Sequence, residues 1–78
     1  MNTLVREDTQ VWCDDEGLPA RMVWRAERWR VIDMPTVMEH SLWPTLRFTV
    51  RSEVDAARTL VVDVERIGGR WALVSSYE

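Results

Sequence analysis

Residues 45–52, TLRFTVRS, and residues 59–65, TLVVDVE, decide the fold of this chain. In both, apolar and polar side chains alternate, and a period of two marks a strand with one buried face. The intervening residues 53–58, EVDAAR, are mostly small or charged, so the two stretches are read as an antiparallel hairpin. Matching their apolar faces sets Leu46, Phe48 and Val50 against Leu60, Val62 and Val64. A slip of one residue would turn every side chain to the wrong side. Any register that satisfies this condition places Arg47 opposite an acid, Asp63 or Glu65, so the outer face gains a cross-strand charge pair.

The same pattern extends in both directions. Towards the C-terminus, Gly68–Gly69 is a strong turn signal before residues 70–75, RWALVS. There the apolar match predicts Trp71 and Leu73 against Val64 and Val62, with Arg70 opposite Glu65. Towards the N-terminus, residues 34–44, MPTVMEHSLWP, break the alternation between two prolines. They are expected to be irregular, with room for one helical turn around Val37 to Ser41. Strands are predicted at 28–33 (RWRVID), 20–24 (ARMVW) and 10–13 (QVWC), the last ended by the turn residues of DDEGLP.

These segments make six strands and no substantial helix. The expected fold class is all-β: a small six-stranded, partly closed antiparallel barrel of SH3-like proportions, or a strongly bent sheet. A flat sheet would leave open edges and a one-sided core. Seventy-eight residues make one domain, 1–78, with residues 1–9 expected as a loose N-terminal segment.

Within WRAERW, residues 24–29, a loop over Arg25 to Arg28 makes Trp24 and Trp29 directly opposed and inward, beside Met22 and Val31. The other face of that hairpin then carries Arg21, Arg25, Arg28 and Arg30. The alternative, a two-residue turn, needs positive φ at both central residues and prefers Gly or Asn, which this sequence lacks. Trp12, alternating with Val11 and Cys13, and Trp43, beside Pro44, are the tryptophans expected at the surface.

Composition narrows the function classes. No segment reaches the ~18 uninterrupted apolar residues of a spanning helix, so no membrane role is expected. The opening MNTLVREDTQ has neither a basic start nor an apolar run, and a cytoplasmic location is expected. The single Cys13 cannot build an internal disulfide framework and is expected to pack as a small apolar group. Cys13 and His40 are the only thiol and imidazole, and no third orienting group is apparent, so the chain is read as a non-enzyme. The acidic run Asp14, Asp15, Glu16 lacks the alternating ligand spacing of a calcium loop, and there is no paired-cysteine zinc pattern. Neither metal nor cofactor is expected.

The net charge is −3, yet its distribution is polar: residues 7–16 hold acids and no base, whereas residues 21–30 hold four arginines against Glu27. An arginine-bearing face near an exposed aromatic suits single-stranded nucleic acid, where bases stack and a basic groove follows the phosphates. A protein partner fits equally, because the acidic net charge opposes general duplex binding. The alternative is a structural or self-associating homodimer, its arginines neutralised by N-terminal acids. The candidate binding residues are therefore Arg21, Arg25, Arg28, Arg30, Trp12 and Trp43.

Residues 17–34, GLPARMVWRAERWRVIDM, resemble the opening of a small uncharacterised domain family of high-GC Gram-positive bacteria. Gly17, Pro19, Ala20, Trp24, Arg25, Trp29 and Val31 match its opening, and Trp71, Leu73 and Tyr77 match its close. The family favours Gly where this chain has Ala26, and its middle departs from LWPTLRFTV. Such domains occur near or fused to Y-family translesion DNA polymerase proteins, so the resemblance implies a DNA-repair association. It brings no catalytic residues.

Overall fold

The computed structural model describes residues 2–38 and 44–77, with side chains from residue 6 onward. Seven strands appear in chain order: β1 (Asn2–Cys13), β2 (Pro19–Trp24), β3 (Glu27–Val31), β4 (Thr36–Met38), β5 (Thr45–Ser52), β6 (Thr59–Ile67) and β7 (Arg70–Tyr77). Six of them close into an antiparallel barrel and β4 is an extra strand on β5. Around the barrel the order is β1–β2–β3–β5–β6–β7 and back to β1, so every neighbour is the next barrel strand along the chain. Closure removes the open edges that a flat sheet would present.

The β5–β6 hairpin has the register expected from its alternation: Leu46↔Val64, Arg47↔Asp63, Phe48↔Val62 and Val50↔Leu60. The apolar members face the interior, where Phe48, Val50, Val62 and Val64 are almost wholly buried together with Met22, Trp29 and Leu73. Burying side chains of this size contributes about 1.5–3 kcal/mol each, and this small core is the main stabilising feature of the molecule. Val11, Val31, Leu46 and Trp71 pack around it, half-buried.

Two hairpin registers differ from expectation, and for the same reason: both turns are as short as a turn can be. In β2–β3 the turn is Arg25–Ala26 alone, so Trp24 faces Glu27 and Met22 faces Trp29. Trp24 and Trp29 are both inward and buried, as expected, but lie diagonally rather than directly opposite. Arg25 and Ala26 adopt φ of 52° and 62°, the left-handed pair that a tight hairpin turn requires even without glycine. In β6–β7 the turn is Gly68–Gly69, which pairs Ile67 with Arg70 and Val64 with Leu73. Arg70 therefore does not meet Glu65; Ala72 does, and Arg66 meets Trp71.

The remaining differences concern extent. β1 begins at Asn2 and pairs with β7 from Asn2↔Tyr77, so residues 2–9, expected as a loose lead-in, continue the strand expected at 10–13. Of the irregular segment, residues 36–38 form β4 instead of entering a helical turn; the rest of that expected turn, residues 39–41, lies outside the described residues. β4 follows β3 along the same edge of β5 with a local excess of two residues: Val31↔Val50 is followed by Thr36↔Arg47. Asp33 closes the gap. Its carboxylate accepts the Thr49 backbone N–H at 2.8 Å and the Thr49 hydroxyl at 2.6 Å, taking over a place in the ladder.

Buried polar groups on the outside of β6 are paired. Asp63 accepts from Arg47 Nε at 2.7 Å and Nη2 at 3.0 Å, from the Ser75 hydroxyl at 2.7 Å and from the Tyr77 hydroxyl at 3.0 Å. Burial pushes the Asp63 carboxyl up, but the bonds from Arg47, Ser75 and Tyr77 outweigh it and hold the group below the usual carboxylate range. Glu65 is bonded by Arg6 at 2.7 Å, the acid's partner being on β1 and not on the β7 hairpin.

Candidate functional site

Ten arginines serve two purposes in this barrel, and their ion pairs separate them. Arg6, Arg25, Arg47 and Arg58 each hold an acid: Glu65, Glu7, Asp63 and Glu27. Arg66 stacks on Trp71. Among the described residues, Arg21, Arg28, Arg30, Arg51 and Arg70 have no such partner; Arg70 follows the Gly68–Gly69 turn, and the other four lie on the outer surface of β2, β3 and β5.

Their alignment follows from the registers. Trp12 pairs with Arg21 between β1 and β2, Arg21 with Arg30 between β2 and β3, and Arg30 with Arg51 across the closing β3–β5 contact. Each alternates along its strand with an inward residue, such as Met22 or Val50, so Trp12, Arg21, Arg30 and Arg51 form one outward row across four strands, with Arg28 one step off it on β3. Directly opposed side chains in a sheet lie about 4.5–5.5 Å apart, and like charges at that spacing destabilise the pairing. The row therefore carries an electrostatic cost, and no ion pair within the described residues offsets it.

Trp12 stands at one end of the row, 51% exposed. Its exposure follows from the alternation that turns Val11 towards the core. A bulge between Trp12 and Cys13 then leaves Cys13 exposed as well, against the expectation that it packs as an apolar group. A groove of about 570 Å³ runs beside Trp12, lined by Gln10, Arg21, Val23, Arg28 and Glu53, among others. That is room for a planar ring against the indole. A parallel row, Gln10–Val23–Arg28, borders it, with the Glu53 backbone N–H bonded to the Arg28 carbonyl at 3.0 Å. On the other side the arginines overlook a shallow cleft lined by Asp14, Glu16, Ile32 and Asp33. The positive surface is thus the file Arg21–Arg30–Arg51 with Arg28 beside it, bordered by Glu53 on one side and by Asp14, Glu16 and Asp33 on the other.

Arg25, expected on this face, is committed elsewhere. It donates from Nε to Glu7 Oε1 at 3.1 Å and from Nη2 to Oε2 at 2.6 Å, and its guanidinium lies 4.6 Å from the centre of the Trp24 ring. The Arg25 bond holds the Glu7 carboxyl below its ordinary range. Of the six residues singled out from sequence, Trp12, Arg21, Arg28 and Arg30 come together, Arg25 does not, and Trp43 lies outside the described residues. Arg51 was missed. Alternation within TLRFTVRS puts it on the outer face, but its contact with Arg30 depends on barrel closure between strands that share no hairpin.

The features weighed for chemistry take other roles. Asp14 accepts the backbone N–H groups of Glu16 and Leu18 at 2.9 and 3.0 Å, which makes it a turn-forming side chain. No cluster of three or more metal-ligating side chains occurs among the described residues, and His40 lies outside them. No helix is long and apolar enough to cross a membrane among the described residues. No protein-family profile, no curated protein and no solved structure matches this chain.

Proposed function

We propose that this protein is a non-enzymatic binding module that takes single-stranded nucleic acid on the outer face of β1, β2 and β3. The observation that carries the proposal is the row Trp12–Arg21–Arg30, two directly opposed arginines without an acid partner beside an exposed indole. Phosphates supply the missing counter-charge and a base supplies a ring for the indole, a combination that serves single strands without sequence preference. The acids on both margins, Glu53 on one side and Asp14 and Glu16 on the other, disfavour the second strand of a duplex. An association with DNA repair, proposed on the resemblance of residues 17–34, fits a ligand of this kind, and so does a cytoplasmic location.

Anisotropy of a fluorescent oligothymidylate tests the reading. Binding is expected at low salt, with about a 20-fold loss of affinity between 50 and 200 mM salt if three phosphates are contacted. Arg21→Ala with Arg30→Ala should abolish it. Absence of binding at low salt refutes the proposal, and preferential binding of an acidic peptide would transfer the face to a protein partner.

Self-association is a second reading, favoured by one observation. The outer edge of β4 has no strand partner among the described residues, and Met34 and Val37 near it are 72% and 65% exposed. A sedimentation coefficient that rises with concentration would support it; a constant monomer value would remove it.

A further inference from the structure

The proposed binding face raises the question of where a strand would lie, and the barrel closure answers it. Resting on the single-strand reading, we infer that the nucleic acid crosses the strands of the barrel rather than following them, from Trp12 on β1 to Arg51 on β5. Arg51 is then a phosphate-binding residue that forms the far end of the site.

The geometry leaves little choice of direction. Along the strands the positive surface extends one step, to Arg28, and no further: Val23 and Glu53 flank Arg28 towards one barrel end, and Ile32 and Asp33 follow Arg30 towards the other. Across the strands it continues unbroken through Arg21, Arg30 and Arg51. Arg30 and Arg51 line a further small hollow with Ile32, Ser52 and Glu53, so the surface stays concave at that end. Beyond Arg51 the row reaches Thr59 on β6, an uncharged residue, and the basic file stops there.

Three strand-to-strand steps separate Trp12 from Arg51, about 14 Å at the usual spacing. That length accommodates about two to four nucleotides, at 3.4 Å per stacked residue or more when the chain is extended. The base at one end stacks on Trp12, and successive phosphates meet Arg21, Arg30 and Arg51. Arg28 lies one step off the row and steadies the strand from the side of the Trp12 groove.

The test compares single variants against a series of oligothymidylates of two to eight nucleotides, with far-ultraviolet circular dichroism confirming that each variant is folded. Affinity should rise steeply up to about four nucleotides and then level, apart from the statistical gain of extra registers. Arg51→Ala should weaken binding about fivefold and lower the salt slope by about 0.7, the contribution of one phosphate on a single strand. Arg66→Ala, which removes an arginine stacked on Trp71 away from the row, should leave both unchanged. Trp12→Ala should cost at least about fivefold and abolish quenching of the Trp12 emission.

If the protein binds and Arg21→Ala weakens it while Arg51→Ala does not, the crossing path is wrong and the single-strand reading stands. If Arg66→Ala weakens it as much as Arg51→Ala, the row has no special role. If the unmodified protein binds no oligonucleotide, both the path and the reading fail.

Discussion

Ala26 and Asp63 show how much a single side chain settles here. Ala26 sits at φ 62°, in a region that costs an L-residue about 1–2 kcal/mol, and glycine would remove most of that strain. Ala26→Gly should therefore raise stability by about 0.5–1 kcal/mol despite the added flexibility of the unfolded chain, measurable as a shifted urea midpoint with unchanged slope. The absence of Gly or Asn at 25–26 is also why the tight turn was not legible: the sequence argues for a wider loop, and the apolar faces match either way. At Asp63 the folded carboxyl is held below its unfolded value, near 4. Its contribution is fully present above pH 4 and is lost as the pH falls through the lower folded value. Asp63→Asn should lower stability at pH 7 and flatten the acid limb of the unfolding curve; an unchanged limb would mean that Arg47, Ser75 and Tyr77 do not favour the charged form.

β3 and its neighbours carry the conflict between stability and binding. Arg30 is flanked by Arg21 on β2 and Arg51 on β5, so it meets like charge on both sides. Arg30→Thr keeps a strand-forming residue and relieves that repulsion. It should stabilise the barrel by about 0.2–1 kcal/mol at low salt, with a smaller gain at high salt, while weakening nucleic-acid binding. A variant that lost both stability and binding would indicate that Arg30 has a structural partner after all. The register and faces of β5 and β6 were readable because their alternation is unambiguous and a six-residue connection joins them, although β6 runs on past residue 65 to Ile67. β4 was not, because Asp33, a side chain, supplies bonds where periodicity looks for backbone. Asp33→Ala should loosen the β3–β5 junction and cost about 1–3 kcal/mol, with faster amide exchange at Thr49.

The barrel as a whole places the site. Closure between β3 and β5 brings Arg51 beside Arg30, residues from two different hairpins, and turns a basic hairpin into a file crossing four strands. Alternation supplied the outer position of each arginine; the three-dimensional register supplied their order, and that depends on turn lengths and on a contact across the longest connection in the chain. The same closure assigns the N-terminal acids. Glu7 reaches Arg25, but none of the acids reaches Arg21, Arg30 or Arg51 within ion-pair distance, so neutralisation from the N-terminal segment is confined to the turn. The central claim is that this unneutralised file is a single-strand site, and a titration of the labelled protein with unlabelled oligothymidylate at low salt, followed by amide and guanidinium resonances, tests it most directly. The account predicts shifts concentrated at Trp12, Arg21, Arg28, Arg30 and Arg51, with Arg25, Arg47 and Arg66 still. Shifts absent at high micromolar oligonucleotide, or centred on the Gly68–Gly69 turn instead, would contradict it.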